Sequence, residues 1–522
     1  MATSTLQLSS TARASYHLLT QRSAASLNAL GLGHLPYASR GLRLASTATS
    51  DGRKRERVVI LGSGWAGYGF ARSLDPDKYE RIMISPRSYF VFTPLLAGTA
   101  VGTLEFRAVV EPVRRLSLDQ FHQGWADDID FAHKTIRVEA NTSDDLASRT
   151  RLALTHHPDG KKGKGSMFDV EYDKLVIAIG SYSQTFGVEG VREHANFLRD
   201  VGDARKIRMK VLQNFEKAAL PITKDEERKK LLHFAIVGGG PTGIEYAAEL
   251  HDLIRDDLTK TYPSLMKFVS ITVYDVAPKV LPMFDKKLAD YAMDRFKREC
   301  INVKTEHHLT RLRPDEDCEG CFKLKIQEYG DEEVGAGIVV WSTGLMQNPL
   351  IQKLEEKAFK LSSSGSEMKL QKDAKTGGIV TDANLRVHMI PSTTTGEPVP
   401  NNGQKTSLLP DVYGIGDCTV ISETSLPATA QVASQQAAHL AKRLNKGDVA
   451  QKPFRFRNLG TMTYLGNWTA IHQSSADELK GWMAWVLWRT AYLTRSMSIR
   501  NKVTVPFYWA LSWIFGRDIS RF

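Results

Sequence analysis

Two glycine-rich turns constrain this chain more than any other feature. The segment "VVILGSGWAG" begins at residue 58, and the segment "FAIVGGGPTG" begins at residue 234. In each, a short apolar run typical of a buried strand leads into G-x-G-x-x-G and then into a helix-like pattern. Such a turn brings backbone N–H groups at the start of a helix close to a pyrophosphate. The two segments therefore predict two Rossmann-like nucleotide-binding units in an α/β chain.

The first turn consists of Gly62, Ser63, Gly64, Trp65, Ala66 and Gly67. The strand predicted to follow it ends in Ser85, Pro86 and Arg87, where a carboxylate usually holds the ribose of NAD. A serine can still hydrogen-bond a ribose hydroxyl, and an arginine can lie along an adenine or a phosphate. We assign all of these residues to a cofactor site, and the missing acid argues against NAD at the first turn.

The second turn consists of Gly238, Gly239, Gly240, Pro241, Thr242 and Gly243. The next predicted strand ends in Asp275, whose carboxylate can accept both ribose hydroxyls and would repel a 2′-phosphate. The sequence therefore predicts NADH rather than NADPH at this turn. A purely structural role is the alternative for either turn, but two such turns in equivalent strand–turn–helix settings argue against it.

Charge is concentrated at the two ends of the chain, which has 522 residues and a formal net charge of +11. Residues 1–50 contain four arginines and no acid, and residues 451–522 contain ten basic and three acidic residues. The part between them is neutral and carries no nucleic-acid-binding motif, so we predict no nucleic-acid partner. The arginine- and serine-rich, acid-free start predicts a mitochondrial presequence, with a disordered basic tail as the alternative.

The four cysteines do not form a metal-binding pattern. Cys318 and Cys321 make a single C-x-x-C in a segment that reads as a turn between two strands. A structural zinc site would need a second pair of ligands nearby. The calcium-binding pattern of an EF-hand is also absent. We therefore predict two incidental thiols on a hairpin and no bound metal.

A third motif, Gly416-Asp417, ends a short apolar strand late in the chain. Two glycine turns followed by such a motif resemble the two-dinucleotide-binding-domain flavoproteins, over about residues 57–450. The resemblance implies non-covalent FAD at the first turn, NAD(P)H at the second, and Asp417 on the ribityl chain of the flavin. It also implies that "YDKLVIAIGS" and "GIVVWSTGL" are the crossings between the domains, which adds Thr343 and Gly344 to the cofactor site.

The implied organisation is an FAD domain interrupted by an NADH domain. The presequence would cover residues 1–50, the FAD-binding domain 55–180 and 345–450, the NADH-binding domain 181–344, and a C-terminal membrane-anchoring and quinone-site region 451–522. Family members that reduce disulfides carry a cysteine pair soon after the first turn, whereas residues 68–180 contain no cysteine. Oxygen, a soluble carrier or a quinone therefore remain as electron acceptors.

Four longer segments narrow the resemblance. They are "ISPRSYFVFTPLL" (84–96), "GGGPTGIEYAAEL" (238–250), "PATAQVASQQAAHLAK" (427–442) and "WRTAYLTRSMSIRNKV", which begins at residue 488. In this order they resemble the type II NADH:quinone oxidoreductases, the single-subunit alternative NADH dehydrogenases of mitochondria and bacteria. The resemblance implies hydride transfer from NADH to FAD and two-electron transfer to ubiquinone without proton pumping, at the surface of the mitochondrial inner membrane.

The resemblance implies that four side chains are candidates for the reacting site. Gln431 and Gln435 lie four residues apart on one helix face and would donate hydrogen bonds to quinone carbonyls; an ordinary polar helix face is the alternative. Glu245 would position the nicotinamide or shuttle a proton, or it is only a favourable charge at a helix N-terminus. Tyr492 would line the quinone entrance, or it packs in the core.

The chain ends in an aromatic and basic segment, "FYWALSWIFGR". The longest uncharged run in this part of the chain, residues 503–516, includes Pro506 and is too short to cross a bilayer. On a helical wheel, the face predicted to pack on the body carries Phe507, Tyr508, Leu511, Ile514 and Phe515. Trp509 and Trp513 point away from it, and we predict that they lie at lipid headgroups. A homodimer interface is the alternative use of these aromatics, and the two uses are compatible.

Two other functions fit the motifs less well. An NADH-dependent reductase of a soluble electron carrier would have no use for the aromatic tail. An NADH-sensing flavoprotein with a mainly interaction role would turn over slowly with every acceptor. We therefore predict an α/β flavoenzyme with two Rossmann-like dinucleotide-binding domains and a C-terminal amphipathic membrane-anchoring region.

Overall fold

The computed structural model describes residues 54–141, 166–360, 367–392, 406–422, 424–475, 477–496 and 498–521. The predicted presequence, residues 1–50, lies outside the described residues. Within the described ranges, the protein is a mixture of parallel sheets and covering helices, which confirms the predicted α/β class.

The strands are named here in chain order. They are β1 Glu56–Leu61, β2 Tyr79–Ser85, β3 Tyr89–Val91, β4 Val110–Pro112, β5 Gln120–Asp130, β6 Thr135–Ala140, β7 Met167–Glu171, β8 Lys174–Ile177, β9 Ser181–Ser183, β10 Asn196–Phe197, β11 His233–Val237, β12 Ser270–Tyr274, β13 Ile301–Lys304, β14 Leu309–Pro314, β15 Phe322–Ile326, β16 Glu333–Ala336, β17 Ile338–Trp341, β18 Leu345–Gln347, β19 Phe359–Lys360, β20 Glu367–Leu370, β21 Ile379–Thr381, β22 Arg386–Pro391, β23 Ser407–Gly414, β24 Thr419–Ile421, β25 Thr461–Tyr464, β26 Ala470–Gln473 and β27 Glu478–Gly481.

The α-helices follow the same rule. They are α1 Trp65–Ser73, α2 Leu96–Thr99, α3 Val191–His194, α4 Val201–Ala219, α5 Asp225–Leu231, α6 Pro241–Leu253, α7 Thr259–Thr261, α8 Lys286–Arg298, α9 Pro349–Glu355, α10 Ala430–Lys446, α11 Trp482–Arg495 and α12 Ile499–Phe515. A π-helical turn, Ile254–Leu258, joins α6 to α7.

The largest sheet is built around β1, which pairs in parallel with β2 on one side and β8 on the other. Its strand order is β19-β20-β22-β23-β8-β1-β2-β5-β6-β7, with β21 and β24 attached beside β22. The apolar residues of β1 are fully buried, as expected for a central parallel strand that is covered on both faces. Both an early and a late stretch of the chain therefore contribute strands to one sheet.

A second sheet is formed entirely by the chain that lies between those two stretches. Its order is β10-β17-β11-β12-β13, and all four pairings are parallel. The short strands β9 and β18 pair with each other where the chain leaves and re-enters the first sheet. The two sheets match the pair of Rossmann-like units in the predicted fold, while the residue boundaries of the domains stay a prediction.

The hairpin between β14 and β15 differs from the sequence prediction. Cys318 and Cys321 are both buried there and form a disulfide, whereas we predicted two incidental thiols. The backbone explains the pairing: Cys321 N donates to the carbonyl oxygen of Cys318 at 3.0 Å, which closes a tight turn and faces the two side chains toward each other. The C-x-x-C spacing by itself does not distinguish this arrangement from separate thiols.

The C-terminal region comprises the antiparallel sheet β25-β26-β27 and the helices α11 and α12. No α-helix among the described residues is both long and apolar enough to cross a membrane. Helix α12 continues through Pro506, and its buried side includes Val505 and Trp509. The Arg489 guanidinium of α11 lies 4.1 Å from the centre of the Trp509 ring. Trp509 is therefore part of the contact between the two helices.

This packing partly reverses the helical-wheel prediction. Trp509 is only 8% exposed, although we predicted that it faces lipid, while Phe507, Ile514 and Phe515 are 58%, 60% and 78% exposed, although we predicted that they pack on the body. Trp513 is 70% exposed, in agreement with the prediction. A wheel shows which residues share a face, but only the position of α11 decides which face is covered.

Candidate active site

The first glycine turn lies between the end of β1 and the start of α1. Gly62 has a φ of +102°, and a Cβ atom there would lie 2.4 Å from the carbonyl oxygen of Ala178 in the neighbouring crossing. A Cβ on Gly67 would lie 2.0 Å from the carbonyl oxygen of Gly62. By contrast, a Cβ on Gly64 would meet no atom within 4 Å. The turn is therefore tightly packed at Gly62 and Gly67 and open at Gly64, as a pyrophosphate-binding turn requires.

The polar residues beside this turn are arranged as a small network. The hydroxyl oxygens of Ser63 and Ser85 are 2.9 Å apart, and both residues are buried. Arg87 Nε lies 2.7 Å from Asp200 Oδ2, so its guanidinium is paired with the residue that caps α4. Trp65 Nε1 donates to Thr93 Oγ1 at 3.0 Å. The cluster of Ser63, Ser85 and Arg87 predicted from the sequence therefore forms at one edge of the turn.

The late Gly-Asp motif lies close to the first turn in space. A Cβ on Gly416 would be 3.1 Å from the Cβ of Ala66. Asp417 Oδ2 accepts a hydrogen bond of 3.4 Å from the Ser181 hydroxyl, at the start of β9. Burial raises the pKa of Asp417, and the charge of Arg199 opposes that shift. Asp417 is therefore a buried acceptor beside the first turn, where a ribityl hydroxyl could donate to it.

Gln436 is a residue of this site that the sequence reasoning missed. Its Oε1 accepts a hydrogen bond of 2.7 Å from Gly416 N, and the side chain is 3% exposed. Helix α10 buries Val432, Ala433, Ala437 and Leu440, and position 436 falls on this face. The apolar periodicity was thus the signal that could have separated Gln436 from its exposed neighbours.

The second turn repeats the geometry of the first. Gly238 has a φ of +118°, and a Cβ on Gly240 would meet no atom within 4 Å. Gly239 N donates to Asp275 Oδ2, and Ala277 N donates to Asp275 Oδ1 at 2.7 Å. The Asp275 carboxylate is therefore held against the open turn at the carboxyl end of β12, where the ribose of a dinucleotide would lie.

The second crossing runs next to the first. Strand β18 pairs antiparallel with β9, and Trp341 Nε1 donates to the carbonyl oxygens of Gln184 at 2.9 Å and Thr343 at 3.1 Å. Gly344 has a φ of +72° and faces the Phe186 ring. The predicted pair Thr343 and Gly344 thus lies at the junction of the crossings.

Glu245 lies one turn into α6 and is buried against the C-terminal region. Its Oε1 accepts hydrogen bonds from Tyr464 N at 3.1 Å and from Trp488 Nε1 at 3.3 Å. Burial outweighs these two bonds and raises the pKa of Glu245 to about 8. The side chain is therefore a neutral acid near pH 7, which differs from a stabilising negative charge at a helix N-terminus.

A narrow cavity adjoins Glu245. Its walls come from three parts of the chain: the segment around α2, helix α6 and the C-terminal region, represented by Leu95, Gly98, Glu249, Trp488 and Trp509. The Tyr492 ring lies 5.0 Å from that of Trp488 and 6.2 Å from that of Phe92. Of the four predicted reacting residues, Glu245 lines this cavity, and Tyr492 lies behind it against Trp488.

Gln431 and Gln435 lie elsewhere and connect α10 to the segment before β25. Gln435 Nε2 donates to the carbonyl oxygen of Arg457 at 2.9 Å, and its Oε1 accepts from Arg457 N at 3.0 Å. Gln431 Nε2 donates to the carbonyl oxygen of Gly460 at 3.2 Å, and its Oε1 accepts from Leu459 N at 2.9 Å. Each amide retains a second N–H for a ligand, so a role toward quinone stays a prediction.

Two comparisons use sequence alone. The family model for pyridine nucleotide-disulphide oxidoreductases matches residues 56–437, and that for the NDH2 C-terminal domain matches residues 458–518. The chain is 37% identical over 475 residues to a probable NADH dehydrogenase of Dictyostelium discoideum, covering 90% of this chain and 92% of the relative. It is 32% identical to the mitochondrial external alternative NAD(P)H-ubiquinone oxidoreductase B3 of Arabidopsis thaliana, covering 94% and 95%.

A third comparison uses solved structures. The fold is similar to that of NDH2 from Plasmodium falciparum in complex with NADH, with a TM-score of 0.73 and 25% sequence identity. The match covers 90% of this chain and 100% of the other. The likeness therefore spans both nucleotide-binding sheets and the C-terminal region.

Proposed function

This chain belongs to the type II NADH dehydrogenases within the pyridine nucleotide-disulphide oxidoreductases, and from that premise we propose how its residues perform the reaction. Enzymes of this kind oxidise NADH through FAD and reduce ubiquinone, and this activity is assigned to the chain. Oxygen and a soluble carrier, the other acceptors that the sequence left open, are thereby set aside. The alternative of a non-catalytic NADH sensor is set aside for the same reason.

The residues at the first turn fit FAD. The backbone is open at Gly64, Asp417 offers a buried acceptor, and Arg199 carries a buried nitrogen that has no hydrogen-bond partner among the described residues. When bound there, FAD supplies the chemistry that accepts a hydride from NADH and returns two electrons to a quinone. We assign Gly62–Gly67, Ser85 and Asp417 to holding this cofactor, and the second turn with Asp275 to holding NADH.

The observation that carries the assignment is the place of Glu245. The glutamate follows the NADH-binding turn on α6 and also forms the wall of the cavity shared by α2 and the C-terminal region. Because Oε1 accepts both hydrogen bonds, the proton of the neutral acid is held at Oε2. Reduction of a quinone to a quinol consumes two electrons and two protons, and we assign one of these protons to Glu245 Oε2.

The experiment that tests the function is stopped-flow absorbance on the purified flavoprotein. We expect NADH to bleach the oxidised flavin and a short-chain ubiquinone analogue to restore it, in two separable phases. Rapid bleaching without restoration by the quinone, but with restoration by a soluble carrier protein, would contradict the assignment of ubiquinone. An inactive flavin with both substrates would contradict the enzyme assignment itself.

We further propose that the C-terminal helices dock on a membrane. The exposed apolar face, defined as Trp482, Met483, Val486, Ile499, Val503, Phe507, Trp513, Ile514 and Phe515, is formed by side chains 43–82% exposed. On α12, Ile499, Val503, Phe507 and Ile514 follow helical spacing on one side. So large an apolar face is rare on a monomeric soluble protein. Arg495 and Lys502 are exposed beside it and would favour anionic lipid.

The acceptor supplies the physical reason for docking. Ubiquinone is dissolved in the bilayer, and the proposed proton donor lies at a cavity that α11 and α12 help to enclose. The similar proteins from A. thaliana and Solanum tuberosum are named as mitochondrial enzymes. We therefore propose that this chain acts peripherally at the mitochondrial inner membrane. The alternative to membrane docking is that the same face packs against a second copy of the chain in a homodimer.

Changing exposed residues tests docking better than truncation does. Deletion from Gly481 onward would also remove Trp488, which bonds to Glu245. We expect the double variant Phe507→Glu, Trp513→Glu to lower partitioning onto cardiolipin-containing liposomes by about tenfold, because two aromatic anchors are replaced by charges that anionic lipid repels. Liposome co-sedimentation measures this, and NADH oxidation with a water-soluble quinone should be retained.

Ile222→Glu is the matched control, because Ile222 is 85% exposed in the loop between α4 and α5, outside the C-terminal helices. It should leave liposome binding unchanged. A double variant that still sediments with liposomes like the wild type would overturn the docking proposal. If the double variant instead becomes monomeric in size-exclusion chromatography with lipid binding intact, the face is a dimer interface.

A further inference from the structure

Arg199 is a half-buried cation that has no role in the proposed reaction. It lies between β10 and α4, directly before the capping residue Asp200. Its Nη1 is buried and has no hydrogen-bond partner within the described part of the chain. Its Nη2 donates to the Ser181 hydroxyl over a long 3.5 Å. A buried guanidinium with an unpaired nitrogen is costly, so this arrangement points to an acceptor supplied by a ligand.

The charges around Arg199 also point to an anion. Burial lowers the pKa of Arg199 and the nearby charge of Arg87 lowers it further, while the charges of Asp417 and Asp203 only partly oppose these shifts. Arg87 is itself paired with Asp200 at 2.7 Å. Asp203 accepts the backbone N–H groups of Arg199 and Asp200, both at 3.1 Å, and so completes the cap of α4. Neither acid of this cap accepts a hydrogen bond from Arg199 Nη1, and the two guanidiniums repel each other.

Position links this cation to the first glycine turn. The Ser181 hydroxyl accepts from Arg199 and donates to Asp417 Oδ2 at 3.4 Å. Asp417 follows Gly416, which packs against Ala66 in the turn. Arg199 is therefore connected through one hydroxyl to the residue assigned to the ribityl chain.

Only one part of FAD carries the negative charge that Arg199 would bind. At neutral pH the oxidised ring system, the ribityl hydroxyls and the adenine are uncharged, and only the diphosphate carries fixed negative charge. An arginine fork is the protein group best matched to phosphate oxygens. We propose that Arg199 binds the diphosphate of FAD from the side opposite the N-terminus of α1. This inference rests on the FAD site of the proposed function and adds its main counter-charge.

Release of FAD tests the proposal on the intact holoenzyme. Arg199→Gln keeps hydrogen-bonding capacity but removes the charge, and we expect FAD to dissociate about tenfold to a hundredfold faster. The rise of free-flavin fluorescence after dilution measures this rate. Arg199→Lys should be intermediate, because an ammonium keeps the charge but loses the fork. The midpoint potential of the bound flavin should stay unchanged, since the diphosphate is remote from the ring.

Arg311→Gln is the matched control. It also removes a guanidinium, but one that lies on strand β14 and pairs with Glu189. It should release FAD at the wild-type rate. Equal release from wild type, Arg199→Lys and Arg199→Gln would overturn the proposal. So would a changed midpoint potential with unchanged release, which would place Arg199 at the ring, or a raised KM for NADH alone, which would place it at the other dinucleotide.

If Arg199→Gln fails to fold, the Arg199→Lys variant provides the test. FAD dissociation from it at the wild-type rate would contradict the need for a guanidinium at the diphosphate. Failure of the proposed function itself looks different. In that case the wild-type protein would purify without flavin, which would overturn this inference together with the FAD site on which it rests.

Discussion

At about pH 9, the Glu245→Gln variant should unfold at a higher temperature than the wild type, and at about pH 5 the two should coincide. The reason is the pKa of Glu245, which burial raises from 4.5 to about 8. Between these values the native protein binds a proton that the unfolded chain releases, so wild-type stability falls as pH rises through this window. Each pKa unit corresponds to about 1.4 kcal/mol, so the full loss over this window is on the order of 5 kcal/mol.

Glutamine removes this pH dependence because it cannot ionise, while it can still accept from Tyr464 N and Trp488 Nε1. The same variant should reduce quinone more slowly at neutral pH, because it has no proton to give from that position. Flavin reduction by NADH should be affected much less. Stopped-flow absorbance separates the two steps, and thermal melts from about pH 5 to pH 9 give the stability difference.

Glu226→Gln is the control for these melts, since Glu226 is an exposed acid at the start of α5. It should shift stability by the same small amount at every pH. If the Glu245→Gln and wild-type melting curves also stay parallel across the range, Glu245 is not the buried neutral acid described here. Unchanged quinone reduction would remove its assigned role as a proton donor.

The Asp275→Asn variant should lose most of its preference for NADH over NADPH. Asp275 is held at the second turn by Gly239 N and Ala277 N, so its charge is fixed where a 2′-phosphate would lie. Placing like charges next to each other costs several kcal/mol, and the amide removes that repulsion. We expect the ratio of kcat/KM values for NADH and NADPH to fall roughly 100-fold.

Part of this change should come from weaker NADH binding, because an amide presents one oxygen where the carboxylate presents two. Asp290→Asn changes an exposed acid on α8 in the same domain and should leave the ratio unchanged. The measurement is steady-state kinetics with each nucleotide under saturating quinone. A ratio for Asp275→Asn equal to that of wild type would show that Asp275 does not select the nucleotide.

The parts of the site whose predicted residues lie together in the structure depend on local sequence. Each glycine turn follows its own strand within a few residues, so strand, turn and helix can be read from one short window. Asp275 and Asp417 were found for the same reason, since each comes directly at the end of an apolar strand. In the structure, both sit beside the turn that they were assigned to.

The parts that were missed depend on contacts between distant segments. Gln436 binds Gly416 N, Arg199 approaches Asp417 through Ser181, and Trp509 meets Arg489 of another helix. In each case the partners are 18 to more than 200 residues apart or belong to separate elements, and no spacing rule connects them. The exchange of the covered and exposed faces of α12 has the same origin.

Sequence alone determined the α/β class, and it predicted the two nucleotide turns and the acids beside them, because backbone conformation and ligand approach there are set by adjacent residues. The tertiary structure decided which side chains are buried away from solvent. Burial turned Glu245 into a neutral acid and left Arg199 Nη1 without a hydrogen-bond partner in the part of the chain that the structure describes. Packing also covered Trp509 while leaving Phe507 exposed. Desolvation depends on everything that packs around a group, and that environment exists only once distant segments have come together.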